Sequence, residues 1–207
     1  MRIVLASKSP RRRELLSALY PDFEIICEEV DESLDDSVHP RDGVRILAER
    51  KGRAVALGLP EDTLVLSSDT LVELDGKPLG KPQNAEDAYS MLSSLSGRAH
   101  NVHTGVAVHY CGRVYSGVDT TAVYFKSLTD EEISNYIFTG EEKLCTEGVK
   151  WNTHNGNQPE WYDKAGAYAI QGMAGRFVSH YDGDFDTVVG LSMRLVKELI
   201  SEATKND

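Results

Sequence analysis

Two periodicities alternate along the first part of the chain. Short apolar runs typical of strands lie at 2–6, 23–27 and 63–68, and apolar residues recur at helical spacing within 10–19 and 40–57. Strands that alternate with helices in this order are typical of an α/β protein. We therefore predict an α/β fold for the chain.

The later part of the chain continues with mixed elements. The pattern predicts a strand at 70–74, a helix from about 84 to 94, a hairpin of two strands within 99–125, a short helix capped by Thr129 or Asp130, a strand near 176–181 and a helix from about 190 to 203. No internal repeat or linker interrupts this order, so we expect a single domain over 1–207 that can divide into two lobes.

Residues 142–162 break the pattern. The segment is polar, rich in Asn and Gly, and contains Trp151 and Trp161. A long stretch without element signals is usually either a mobile surface loop or a functional flap. We predict an insertion here and keep both alternatives open, since tryptophan faces are suited to stacking on a ligand or on a partner subunit.

The charge balance limits the partners of the protein. Lys and Arg number 22 against 33 Asp and Glu, which gives a net charge of −11. That excess of negative charge argues against binding along a nucleic-acid polymer. No apolar run approaches the roughly 20 residues of a membrane span, so we expect no membrane insertion. The three cysteines form no CxxC pair, which fits a reduced cytoplasmic protein.

The first helix begins with an unfavourable arrangement of charge. Ser9 and Pro10 are a strong helix start, yet Arg11, Arg12 and Arg13 follow in the first turn. The helix dipole is positive there, and each cation costs a few tenths of a kcal/mol. A bound anion such as phosphate would make the arrangement favourable. The alternative is a solvated basic helix start in which Arg12 or Arg13 pairs with an acidic residue.

Asp69 lies in an apolar stretch and is a candidate catalytic residue. A carboxylate in a buried strand is costly unless a metal or a cation meets it. Lys51, Lys77 and Lys81 are the candidate cations, and Glu32 follows a strand as a candidate second carboxylate for Mg²⁺. The alternatives are an Asx turn at Asp69 between two strands and a merely solvated acidic loop around Glu32.

Seven ordered blocks of the sequence resemble one family. They read "LASKSPRRRELL", "DES", "LAERKG", "SSDTLVELDGKPLGKP", "AYSMLSSLSGRAHNVHTGVAV", "DKAGAYAIQG" and "VVGL". In order and spacing they resemble the Maf family of nucleoside triphosphate pyrophosphatases, over roughly 1–141 and 163–200. The resemblance implies a mixed α/β sheet in a two-lobed fold with a central cleft, similar to that of the inosine triphosphate pyrophosphatases.

The same resemblance implies an activity and its site. The activity is hydrolysis of a nucleoside triphosphate to the monophosphate and pyrophosphate, with Mg²⁺ or Mn²⁺, in a cytoplasmic protein that is commonly a homodimer. Carried over to this chain, the catalytic residues are Asp69, Lys51 and Lys81, the metal carboxylates are Glu32 and Asp69, and the phosphate-side residues are Ser7, Arg11 and Arg12.

Three positions separate the subgroups of the family. Here they are Arg11, Thr70 and Gln171, which resemble the set of the dTTP/UTP enzymes. The resemblance therefore implies dTTP, UTP and modified pyrimidine nucleotides as substrates, with a role in clearing the nucleotide pool. Two alternatives remain: an enzyme of the 7-methyl-GTP type, and a nucleotide-binding regulator of cell division that does not turn its ligand over.

Overall fold

The computed structural model describes residues 1–35, 37–138 and 159–205. Its contacts divide the chain into two compact units. The first unit comprises the described residues of Met1–Leu71, Val102–Thr121 and Gly183–Asp207, and the second those of Val72–Asn101 and Ala122–Asp182. A seven-stranded mixed sheet and its helices confirm the predicted α/β class.

The sheet contains both parallel and antiparallel pairs of strands. They are β1 (Arg2–Leu5), β2 (Glu24–Ile25), β3 (Thr63–Leu74), β4 (Lys77–Leu79), β5 (Ala99–Tyr110), β6 (Arg113–Phe125) and β7 (Val178–Asp182). Their order in the sheet is β2-β1-β3-β5-β6-β7, and β4 pairs with β3. β1 is parallel to β2 and to β3, whereas the β3–β4 and β6–β7 pairs are antiparallel.

Four helices belong to the first unit. They are α1 (Pro10–Ser17), α2 (Pro40–Ala56), α5 (Phe185–Val189) and α6 (Met193–Ala203). Apolar side chains from the strands and from α1 and α6 form the main core of this unit: Ile3, Leu5, Leu16, Leu64, Leu66, Val106, Val108, Leu191, Leu195, Val196, Leu199, Ile200 and Ala203. Burial of these surfaces stabilises the arrangement of strands that carries the candidate site residues.

The second unit contains α3 (Ala85–Leu95) and α4 (Asp130–Ile137). Thr129, rather than Asp130, is the N-cap of α4, and it forms a capping box with Glu132. The core of this unit includes an aromatic cluster, in which Phe177 is in edge-to-face contact with Phe125 and Tyr136.

Two predicted boundaries were wrong. The predicted strands 63–68 and 70–74 form one continuous strand, β3, so Asp69 does not lie in an Asx turn. The helix predicted from about 190 to 203 begins only at Met193, because Gly190, with a φ of 121°, ends the preceding helix α5, and Ser192 is the N-cap of α6.

The predicted insertion lies mostly outside the described residues. Of 142–162, the structure describes 159–162, and there Trp161 is buried with 2% exposure. Its indole N–H donates to the carbonyl oxygen of Ile137 at 3.1 Å. Trp161 is therefore part of the core of the second unit and offers no face for stacking on a ligand. In the described part of the chain no helix has the length and apolar character needed to cross a membrane.

Candidate active site

Asp69 lies within β3 of the first unit. It is 9% exposed, and the two preceding serines are fully buried. Ser67 donates its hydroxyl to the carbonyl oxygen of Ala48 in α2 at 2.7 Å, and Ser68 donates to the carbonyl oxygen of Gly190 at 3.0 Å. These bonds satisfy the serine hydroxyls inside the unit, so the polar stretch remains a strand and carries a nearly buried carboxylate.

Lys51 of α2 is the cation that meets this carboxylate. Its ammonium nitrogen lies 2.6 Å from Oδ1 of Asp69 and 2.8 Å from Oε1 of Glu32. The side chain of Lys51 is 19% exposed, compared with 57% for Glu32. Two carboxylates thus converge on one ammonium ion, and of the three candidate cations Lys51 is the one that lies at Asp69.

Gly52 allows α2 to approach the sheet closely enough for this contact. A Cβ atom on Gly52 would lie 2.5 Å from Oγ of Ser67 and 2.5 Å from Cδ2 of His109. Such distances are far below a van der Waals contact, so the backbone of α2 occupies the space that a side chain would need. This close approach brings the neighbouring Lys51 to Asp69.

The loop that carries Glu32 is held by a residue that the sequence analysis missed. Nη1 of Arg50 donates to the carbonyl oxygens of Asp31 and Ser33, both at 2.8 Å. Asp31 accepts hydrogen bonds from the backbone N–H and the hydroxyl of Ser33, which lower the pKa of its carboxyl group. Arg50 precedes Lys51 in α2, and that adjacency was the available signal for its role.

The guanidinium of Arg12 donates hydrogen bonds to neutral groups of the protein. Nε donates to the carbonyl oxygen of Gly190 and Nη1 to that of Ser68, both at 2.7 Å, and longer contacts join Nη1 to Ser7 and Nη2 to Thr70. Burial lowers the pKa of this guanidinium, and the negative charge of Asp69 opposes the shift. These contacts offset the unfavourable charge of Arg12 in the first turn of α1.

Gly190 completes the surroundings of Arg12 and Thr70. Its φ of 121° is one that side-chain-bearing residues rarely adopt. A Cβ atom there would lie 3.3 Å from Oγ1 of Thr70 and 3.4 Å from Nε of Arg12. The missing side chain therefore leaves room for both polar groups at the Gly190 carbonyl.

Comparison with known proteins gives the family of the chain. Residues 2–203 match the family described as Maf-like protein. The chain belongs to the Maf family. A relative from Thermoanaerobacter sp. (strain X514), named dTTP/UTP pyrophosphatase, is 42% identical over 97% of this chain and 95% of its own length. A relative of the same name from Moorella thermoacetica is 44% identical over 97% of this chain and 94% of its own length.

A solved structure resembles the Maf chain more distantly. The Ham1 protein of Staphylococcus aureus has a TM-score of 0.47 and 15% identity, over 86% of this chain and 91% of that one.

Membership of the Maf family suggests a divalent metal in general, and the residues of the first unit are compatible with one. In the described ranges no group of three or more His, Cys, Asp and Glu side chains is arranged as a metal site. Asp69 and Glu32 nevertheless both reach the ammonium of Lys51, so their oxygens converge on one small region. Mg²⁺ commonly takes one or two protein carboxylates and completes its coordination with phosphate oxygens and water, which such a pair can satisfy.

The remaining predicted site residues of the Maf chain lie in both units. In the first unit, Ser7 is buried and accepts a hydrogen bond from the N–H of Ser9, and Arg11 is half-buried at the start of α1. Lys81 and Gln171 belong to the second unit, where both are exposed, Lys81 between β4 and α3 and Gln171 in a turn. The roles assigned to these four residues stay predictions.

Proposed function

We propose that this Maf-family chain hydrolyses nucleoside triphosphates, with dTTP, UTP and modified pyrimidine nucleotides as substrates, to the monophosphate and pyrophosphate. The names of its full-length relatives support the reaction class. The observation that carries the proposal is the nearly buried Asp69 carboxylate, 2.6 Å from the Lys51 ammonium with the Glu32 carboxylate beside it. A carboxylate and a cation held together in this way are suited to phosphoryl chemistry, where a water loses a proton while phosphate charge is neutralised.

The chemistry assigns a role to each of the three groups. The oxygen of a water molecule forms a bond to a phosphorus atom of the α–β anhydride, and the bond from that phosphorus to the bridging oxygen breaks. Asp69 orients the water and accepts its proton, while Lys51 holds the Asp69 carboxylate in position and faces the phosphate charge. Glu32 and Asp69 would hold Mg²⁺ or Mn²⁺, which supplies neutralisation of the phosphate oxygens.

The substrate contacts follow the family pattern. In this proposal Ser7, Arg11, Arg12 and Lys81 bind phosphate oxygens, because hydroxyls and cations are suited to them. Gln171 selects the base, since its amide can accept from the N3–H of uracil or thymine and donate to O4.

The decisive experiment is a panel of nucleoside triphosphates incubated with the protein and Mg²⁺, with pyrophosphate release as the readout. We expect release that is fastest with dTTP, UTP or a modified pyrimidine nucleotide. Release from 7-methyl-GTP alone would assign the chain to the other subgroup. Nucleotide binding without release from any member of the panel, even at high protein concentration, would favour the non-catalytic regulator instead.

The proposed assembly is a homodimer in the cytoplasm, in keeping with the family resemblance. Light scattering coupled to size exclusion measures the mass of the particle directly. A mass near 45.8 kDa, twice the 22.9 kDa of the chain, is the expected result, and a mass near 22.9 kDa would contradict the dimer.

A further inference from the structure

Thr104 is a fully buried residue of β5 to which the predicted mechanism assigns no role. Its hydroxyl oxygen lies 2.9 Å from that of Thr70, and it donates to the carbonyl oxygen of Thr187 at 2.7 Å. Thr70 follows Asp69 directly in β3. Thr104 therefore touches the neighbour of the candidate catalytic carboxylate.

The hydrogen bonds around Thr104 have a fixed direction. A hydroxyl carries a single proton, and the carbonyl of Thr187 can only accept, so the proton of Thr104 is committed to that carbonyl. In the contact with Thr70, Thr104 must then be the acceptor and Thr70 the donor. The bonds run from Thr70 to Thr104 and from Thr104 to Thr187.

That direction leaves a lone pair of Thr70 available to Arg12. Nη2 of Arg12, which can only donate, lies 3.2 Å from Oγ1 of Thr70. The alternative acceptor for the Thr70 proton is the carbonyl of Gly190 at 3.4 Å. That carbonyl already accepts from Arg12 at 2.7 Å and from Ser68 at 3.0 Å, which occupy its two lone pairs.

Arg12 in turn binds both residues that flank Asp69. Nη1 of Arg12 donates to the carbonyl oxygen of Ser68 and Nη2 to the hydroxyl of Thr70. The guanidinium is planar and its donors have a fixed geometry, so its two contacts set the position of the strand between them. The contact of Arg12 on the Thr70 side of Asp69 is thus favourable when the Thr70 proton points away from Arg12, as it does when Thr104 accepts it.

We propose that Thr104 is a positioning residue for the hydrolytic reaction. Its hydroxyl accepts the Thr70 proton, which keeps Arg12 on both sides of Asp69 and holds that carboxylate in its reactive orientation. The catalytic part of this proposal rests on the proposed function. The structural part, the dependence of Arg12 on the Thr104 hydroxyl, does not need turnover.

The test compares Thr104→Val, which removes the hydroxyl and preserves the branched shape, with Thr104→Ser, which retains the hydroxyl. Thr121→Val is the matched control, because Thr121 is also fully buried and donates its hydroxyl to a backbone carbonyl. That carbonyl belongs to Asp184, at 2.9 Å, and Asp184 is close in sequence to Thr187. Both valine variants lose one buried bond from a threonine to a carbonyl. Thr104→Val also loses the hydrogen bond to Thr70, whereas Thr121→Val retains it.

We expect Thr104→Val to lower kcat by about tenfold or more with KM changed less than about twofold, because the loss concerns orientation at the reacting centre. Thr104→Ser should recover kcat to within about threefold of wild type, and Thr121→Val should keep it within about twofold. Equal losses of kcat in the two valine variants, or failure of the serine variant to recover, would overturn the positioning role.

A second readout separates this proposal from the proposed function. The Nη2 protons of Arg12, which donate to Thr70, give an NMR signal whose exchange with solvent is measured without any nucleotide, with Arg12→Lys used to assign it. We expect exchange about tenfold faster in Thr104→Val than in wild type or Thr121→Val. Unchanged exchange would refute the dependence on Thr104, whether or not wild type releases pyrophosphate. Absence of release from wild type alone would refute the function and leave the exchange result to decide the structural part.

Discussion

Replacement of Arg12 by alanine tests whether the arginine at the start of α1 stabilises the protein in the absence of any ligand. Two opposing effects are expected. Removal of a cation from the first turn of a helix relieves an unfavourable interaction with the helix dipole, which contributes about 0.3–1 kcal/mol. The same change removes the guanidinium bonds to Ser68 and Gly190, both 2.7 Å long.

The lost hydrogen bonds are the larger effect. A hydrogen bond to a charged group contributes about 1.5–3 kcal/mol, so the two shortest bonds together contribute about 3–6 kcal/mol. The variant no longer incurs the cost of burying the charge, which places the loss near the lower end of that range. After the gain at the helix dipole, we expect the free energy of unfolding to fall by about 2 kcal/mol or more.

The assay is urea unfolding and thermal melting of the nucleotide-free protein. For a chain of this size, a loss of about 2 kcal/mol lowers the melting temperature by roughly 4–8 °C. Arg13→Ala is the matched control, since Arg13 lies in the same turn and is exposed. That control should gain a few tenths of a kcal/mol or stay unchanged. If Arg12→Ala were as stable as Arg13→Ala, the hydrogen bonds of Arg12 would not stabilise the fold and the reasoning would be refuted.

Three further variants test the site and the second unit. Asp69→Asn should fold normally and lose nearly all turnover, whereas the control Asp22→Asn, at an exposed position, should keep its turnover. If Asp69→Asn retained more than about a tenth of the wild-type rate, a barrier change under ~1.4 kcal/mol, the catalytic role of Asp69 would be contradicted. Lys51→Met leaves the Asp69 and Glu32 carboxylates without their shared ammonium, so Mg²⁺ should raise its melting temperature more than that of wild type; equal shifts would argue against a shared metal site. Burial lowers the pKa of His100 from 6.5 to about 4, so the contribution of neutral His100 to stability is complete above pH 6.5 and declines as the pH falls towards 4. In urea unfolding, the free energy of unfolding of His100→Gln should therefore depend less on pH in that window than that of wild type.

The fold class and most elements could be predicted because their signals are local. Apolar spacing predicted β1, α2 and the β5–β6 pair within a few residues of their observed bounds. Ser9 and Thr129 cap their helices through bonds to N–H groups three positions away, which short motifs reveal. The family and its reaction class could be recognised for the same reason, since each motif is a short block of sequence.

The continuity of β3 could not be predicted. Ser67, Ser68 and Asp69 are residue types that favour turns when their side chains bond to the nearby backbone. Here the serine hydroxyls bond instead to the carbonyls of Ala48 and Gly190, which are 19 and 122 positions away. Such partners exist only after the chain has folded, and they remove the advantage of a turn.

The candidate site also has features that the sequence predicts and features that only the packing decides. The sequence was sufficient to show that a buried Asp69 needs a cation, because the cost of burying a lone charge is general. Which lysine supplies that cation, and why Arg12 can stand at the start of a helix, depended on the packing of the first unit. Lys51 reaches Asp69 across 18 positions and Arg12 reaches Gly190 across 178. Local pattern determines which elements form, but a hydrogen bond or ion pair forms between atoms that are close in space, and only the tertiary structure brings such distant residues together.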